Sequence, residues 1–116
     1  HCLKKINQNG YLIILVPAHN NLYSKLDKAV GHYKRYDKSF FINLKLNNAS
    51  IVSLKYLDCL GYILYYLNKL IFKNETFPTH LKIFVWDKLF TPVTILVDFL
   101  TRYRFGKNIL CIIKKN

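Results

Sequence analysis

The sequence predicts an α/β domain built on three strands. Two short runs are apolar without interruption, Tyr11 to Val16 (YLIILV) and Ile109 to Ile113 (ILCII). A third, Ser50 to Leu57 (SIVSLKYL), alternates. Between them, apolar residues recur at helical spacing. An unbroken apolar strand is the pattern of a sheet covered on both faces, and alternation suits a half-exposed edge.

The elements follow in order. Cys2 to Ile6 reads as the last turn of a helix, stopped by Asn7-Gln8-Asn9-Gly10, where Asn and Gly supply left-handed residues. Tyr11 to Val16 is the first strand, ended by Pro17. His19 to Tyr36 is a polar, aromatic and basic connection with a short helix around Leu22 to Val30. Asp37 is placed to cap a helix running through Leu46, with Phe40, Phe41 and Leu44 on one face, and Asn48 can close it in the left-handed conformation. Ser50 to Leu57 places Val52, Leu54 and Tyr56 on one side and Ser53 and Lys55 on the other. Tyr62 to Phe72 and Leu81 to Phe90 read as helices. Thr91-Pro92 reads as an N-cap with proline at the first helical position, opening a helix toward Tyr103. Gly106 ends that run before the last strand.

Residues 11–16 and 109–113 both require central places in the sheet, whereas 50–57 requires an edge. Inserting the last strand between the other two meets all three demands. Functional loops gather at the carboxyl ends of such strands, which makes the loop after Val16 the expected working surface.

With 116 residues the chain is one domain or part of one. It contains no methionine and begins with His1, so a segment of a longer product is expected. Lys and Arg number 18 against 6 Asp and Glu, a net charge of +12. All the basic residues but Arg35, Arg102 and Arg104 are lysine, scattered singly or in pairs, as AT-rich coding would produce. Nucleic-acid recognition favours Arg, whose planar fork makes bidentate contacts, so this pattern reads as a solvated surface.

Cys2, Cys59 and Cys111 are far apart and lack a CxxC, which argues for free thiols in a reducing cytoplasm. The most lipid-like stretch, Cys59 to Asn68, is too short to span a bilayer, which takes about 20 apolar residues. Leu60 to Phe72 fits a helix packed on its own domain better than one lying at a membrane surface.

Certain residues go further. V16-P17-A18-H19, L22-Y23-x-x-L26-D27 and G31-H32-Y33-K34-R35-Y36 resemble a pattern in class I S-adenosylmethionine-dependent methyltransferases. The nearest kind is the group often found beside, or fused to, glycosyltransferases. L54-K55-Y56, Leu60-Gly61 and G106-K107-N108-I109 fit the same frame, so the likeness runs in order over nearly the whole chain. There are departures: Asn48 stands where that family usually has Gly, Lys34 replaces the first Arg of an RRY, and Asp37 replaces a Thr cap. The resemblance implies the fifth, sixth and seventh strands of a Rossmann-like sheet, the seventh antiparallel between the other two, with a helical insert over about residues 59–105.

The glycines at 10, 31, 61 and 106 are each isolated, and no GxG is present. The resemblance therefore implies a carboxyl-terminal half, with S-adenosylmethionine held mainly by an amino-terminal half, no cofactor-binding residue assigned here, and no activity for this part alone. The acceptor implied is a small molecule or a glycan- or lipid-linked one, handled in the cytoplasm or at the membrane periphery. His19 and His32 are the candidate bases or acceptor-positioning groups, because His titrates near neutral pH. Asn20, Tyr33, Arg35 and Tyr36 are the candidate acceptor-binding residues. Arg35 can clamp an anion, or His32 and Arg35 can pin the long loop. Asp27 is expected to pair with a nearby Lys or Arg. Four separated histidines form no metal motif. The alternative is a non-enzymatic basic module that binds a membrane surface or nucleic acid.

Overall fold

The computed structural model describes residues 1–71 and 79–116; the expected helix end at Phe72 lies outside them. Three strands, β1 (Tyr11–Pro17), β2 (Ala49–Leu57) and β3 (Asn108–Lys115), form one sheet in the order β1-β3-β2. β3 is antiparallel to both neighbours, with Ile14 opposite Cys111 and Tyr56 opposite Ile109. The chain is thus a mixed α/β unit with its last strand inserted centrally, as the hydrophobic patterns required.

β3 is central because Ile109, Cys111 and Ile113 all bury one face. They join Ala18 and Phe41 in the core, and Leu12, Ile14, Val16, Ile51, Leu54 and Tyr56 pack around them. Phe41 comes from α2 (Lys38–Ile42), which covers this face of the sheet. The opposite face is different. Tyr11, Ile13 and Leu15 point outward and are 57–65% exposed, so β1 is an edge strand with one uncovered apolar face. The expectation of a central β1 covered on both faces is not met. Its apolar run calls for two covering layers, and the described residues supply one.

Three local departures have physical causes. α2 ends at Ile42, not Leu46, because Leu44 and Leu46 both pack on the core, a two-residue period that an extended chain meets and a helix does not. Asn48 is left-handed (φ 55°), but it opens β2 instead of closing the helix. In β2 a bulge falls between Ile51 and Ser53, so Val52 turns outward while Ile51, Leu54 and Tyr56 face the core.

The helices at 59–71 and 80–100 form a lobe between β2 and β3. α3 (Cys59–Ile71) starts earlier than its apolar stripe suggested. The Asp98 carboxylate accepts from the Asp58 and Cys59 amides at 2.7 and 2.8 Å and caps it from another helix. α4 (His80–Val85), a π-turn (Trp86–Phe90) and α5 (Thr91–Leu100) run on as one rod. Thr91 is therefore not an N-cap: it is helical, and its amide donates to the Trp86 carbonyl five residues back. Pro92 cannot donate a helical hydrogen bond, and the widened turn before it accommodates that loss. The lobe closes where Tyr56 N–H donates to Tyr103 O and Lys107 N–H donates to Asp58 O, each at 3.1 Å. Gly106 is required there, since a Cβ would strike the Leu57 backbone.

Candidate functional site

The loop after β1 leaves and returns at one point. Tyr36 N–H donates to Pro17 O at 2.9 Å and His19 N–H donates to Tyr36 O at 3.0 Å, so residues 19–36 form a closed excursion. The predicted helix over Leu22 to Val30 is split. A 3-10 turn (Asn20–Leu22) buries Leu22, and α1 (Lys25–Ala29) follows an extended Tyr23. Ser24 and Asp27 form a capping box, with the Ser24 hydroxyl at the Asp27 amide and the Asp27 carboxylate at the Ser24 amide.

Asp27 is also the hub of the loop. Its buried carboxylate accepts from Arg35 Nε at 3.0 Å, contacts Arg35 Nη2 at 3.0 Å, and meets His32 Nδ1 at 3.2 Å. Burial alone would raise its pKa. The hydrogen bonds from Arg35 and His32, the Arg35 charge and the Ser24 hydroxyl outweigh that and hold it below the usual value. Arg35 is only 4% exposed; Nη1 donates to Ala18 O at 3.1 Å, and the guanidinium lies over the Tyr65 ring. Tyr65, from α3, donates its hydroxyl to Ser24 Oγ and so ties the lobe to the loop. The expected pairing of Asp27 with a basic residue is present, and Arg35 holds the loop together.

His19 stands apart from this cluster, at the carboxyl end of β1. It is left-handed (φ 63°), stacks on Tyr56 at 5.1 Å and meets Tyr62 at 4.9 Å. Its Nε2 lies 3.0 Å from Gly106 O; a carbonyl only accepts, so Nε2 carries the proton and Nδ1 the lone pair. By the same reasoning His32 Nδ1 donates to the Asp27 carboxylate.

Beside the loop lies an open cleft of about 450 Å³, lined in part by Asn20, Lys34, Arg35, Tyr36, Asp37 and Phe40. This is within the size range of small-molecule sites. Lys34 Nζ lies 4.8 Å above the Tyr36 ring and 5.3 Å above Phe40. Asp37 does not cap α2 with its side chain; it accepts from Asn20 Nδ2 at 3.2 Å across the cleft. The structure thus gathers Asn20, Arg35 and Tyr36 in one cleft. His19 and His32 are not part of its lining, and Tyr33 is 97% exposed. Lys34, Asp37 and Phe40 were not singled out for binding, although the aromatic-basic alternation of Tyr33 to Phe41 was a readable signal. Tyr65 and Asp98 had none, since their partners lie about 40 residues away.

Comparison with protein-family models, with curated proteins and with solved structures finds no match.

Proposed function

We propose that this chain is the acceptor-facing, carboxyl-terminal part of a class I S-adenosylmethionine-dependent methyltransferase acting on a small-molecule or glycan-related acceptor. The observation that carries the reading is the sheet order β1-β3-β2 with β3 antiparallel to both neighbours. Two others support it. The VPAH…LD…GHYKRY residues fold as one hydrogen-bonded loop beside a cleft, and β1 keeps an uncovered edge and apolar face on which further sheet and helix would pack.

None of the four glycines forms a glycine-rich turn among the described residues, so a cradle for the donor is assigned to another part of the protein. When bound, S-adenosylmethionine supplies an activated methyl group. The cleft residues Asn20, Lys34 and Tyr36 hold the acceptor, and positioning is the main contribution to such a displacement. Of the two histidines, His32 has its ring oriented by Asp27 and His19 is held between two tyrosines, but neither lines this cleft, so no base is assigned.

Isothermal titration tests the reading. The natural full-length protein should bind S-adenosylmethionine, and residues 1–116 alone should not. Absence of binding by the full-length protein overturns the class. Tight binding by residues 1–116 overturns the division of labour between the two parts.

A further inference from the structure

The rod His80–Leu100 reverses the usual amphipathic arrangement. Its inward side carries buried Thr94 and Asp98, the latter committed to capping α3. On helical spacing Leu89, Pro92, Leu96, Phe99 and Leu100 stand opposite Thr94. Leu96, Phe99 and Leu100 are 58%, 66% and 68% exposed, and Val93 and Ile95 on the flanks of the same helix are exposed too. Between Lys88 and Arg102 the only charged residue is the buried Asp98. Beyond those limits the charges are basic: Lys82 and Lys88 on one side, Arg102 and Arg104 on the other, with Asp87 the one acid.

An apolar patch of this extent marks a contact surface, and the charge around it selects the occupant. Of the 6 acidic residues, Asp27 and Asp98 are buried and Asp58 is paired with Lys107, so little exposed negative charge opposes the 18 Lys and Arg of the chain. An apolar centre with a lysine and arginine rim is the composition of a helix lying in the headgroup region, its Leu and Phe side chains reaching the acyl boundary and its cations meeting phosphates. Nucleic acid would draw the cations but not the Leu and Phe side chains. No described helix is long and apolar enough to cross a membrane, so the contact is with a surface. Among the described side chains, those of α5 are the more exposed: Ile63, Leu64, Tyr66 and Leu67 of α3 are 37–45% exposed, and its Tyr62 and Tyr65 pack on the loop.

We infer that the outward face of the rod docks this protein on an anionic lipid surface. The lobe hangs from β2, at the opposite edge of the sheet from β1, and the docking does not depend on methyl-transfer chemistry.

Vesicle co-sedimentation of the full chain tests it. Phosphatidylcholine vesicles containing about one quarter phosphatidylserine should bind the protein at least about 10-fold more tightly than phosphatidylcholine alone, and high salt should weaken the binding. Leu96→Glu with Phe99→Glu should reduce it about 10-fold with an unchanged circular-dichroism spectrum. Should that variant fail to fold, Lys82→Glu with Lys88→Glu gives a second reading, with several-fold weaker binding expected. The inference is overturned if the folded protein does not bind anionic vesicles, or if folded variants bind as tightly as the wild type. It is likewise overturned if the apolar pair abolishes a concentration-dependent dimer while vesicle binding is absent.

Discussion

Removing Asp27 is the sharpest perturbation of the loop. In Asp27→Ala the Arg35 guanidinium stays in a site where its side chain is 5% exposed, with Ala18 O left as a hydrogen-bond acceptor and no carboxylate opposite. Stranding one partner of a buried pair costs about 3–5 kcal/mol, and the lost capping box adds roughly 1 kcal/mol that overlaps with it. A total of about 4 kcal/mol lowers the melting temperature by on the order of 15 °C for a domain of this size. Urea unfolding and thermal melts of the protein measure both. The folded-state pKa of Asp27 lies below its unfolded value, so its contribution is complete above about pH 4 and is lost as pH falls through the lower, folded value. Asp27→Ala should accordingly flatten the acid limb of the stability curve. Asp27→Ala/Arg35→Leu should be more stable than Asp27→Ala, because no charge is then left buried. A loss under about 1 kcal/mol, or a double variant whose losses simply add, refutes the hub.

Two further expectations concern the lobe and the thiols. Asp98→Asn should cost about 1–3 kcal/mol and speed hydrogen exchange of the Asp58 and Cys59 amides, since one of two charge-assisted acceptors is lost; unchanged exchange there would exclude the cap. Thiol reagents should modify Cys2 in the native protein and reach Cys59 and Cys111 only on unfolding, as both are buried and burial pushes their thiols up; native labelling of Cys111 would contradict the core.

What could be read from the sequence was periodic or local. The apolar Ile109-Cys111-Ile113 set, the edge character of β2 and the place of β3 between its neighbours all follow from strand periodicity. The Asp37 boundary of α2 follows from helix N-cap preference, and the link of Asp27 to a basic residue from its charge. What could not be read depended on partners distant in the chain or on one-residue irregularities. The β2 bulge reverses Val52 without altering the residue pattern around it. The π-turn lets a helix run through Thr91-Pro92, a pair that elsewhere starts one. Tyr65 and Asp98 find their hydrogen bonds about 40 residues away, beyond any local signal. β1 misled as well: its unbroken apolar run suggests cover on both faces, whereas Tyr11, Ile13 and Leu15 stay exposed among the described residues.

Leu57 pairs with Asn108, and this makes β2 and β3 the two arms of a hairpin whose turn is the whole stretch 58–107. Loop-closure entropy rises only logarithmically with length, by about 0.6 kcal/mol for each doubling. A helical lobe of any size can therefore occupy this turn at small expense, provided that its two ends meet as Asp58 and Lys107 do. The register of the hairpin is fixed at that junction, by Gly106 against Leu57 and by the Tyr56–Tyr103 hydrogen bond. The lobe's outer surface is thus free to change in length and composition between versions of this fold while the strands beneath keep their pairing.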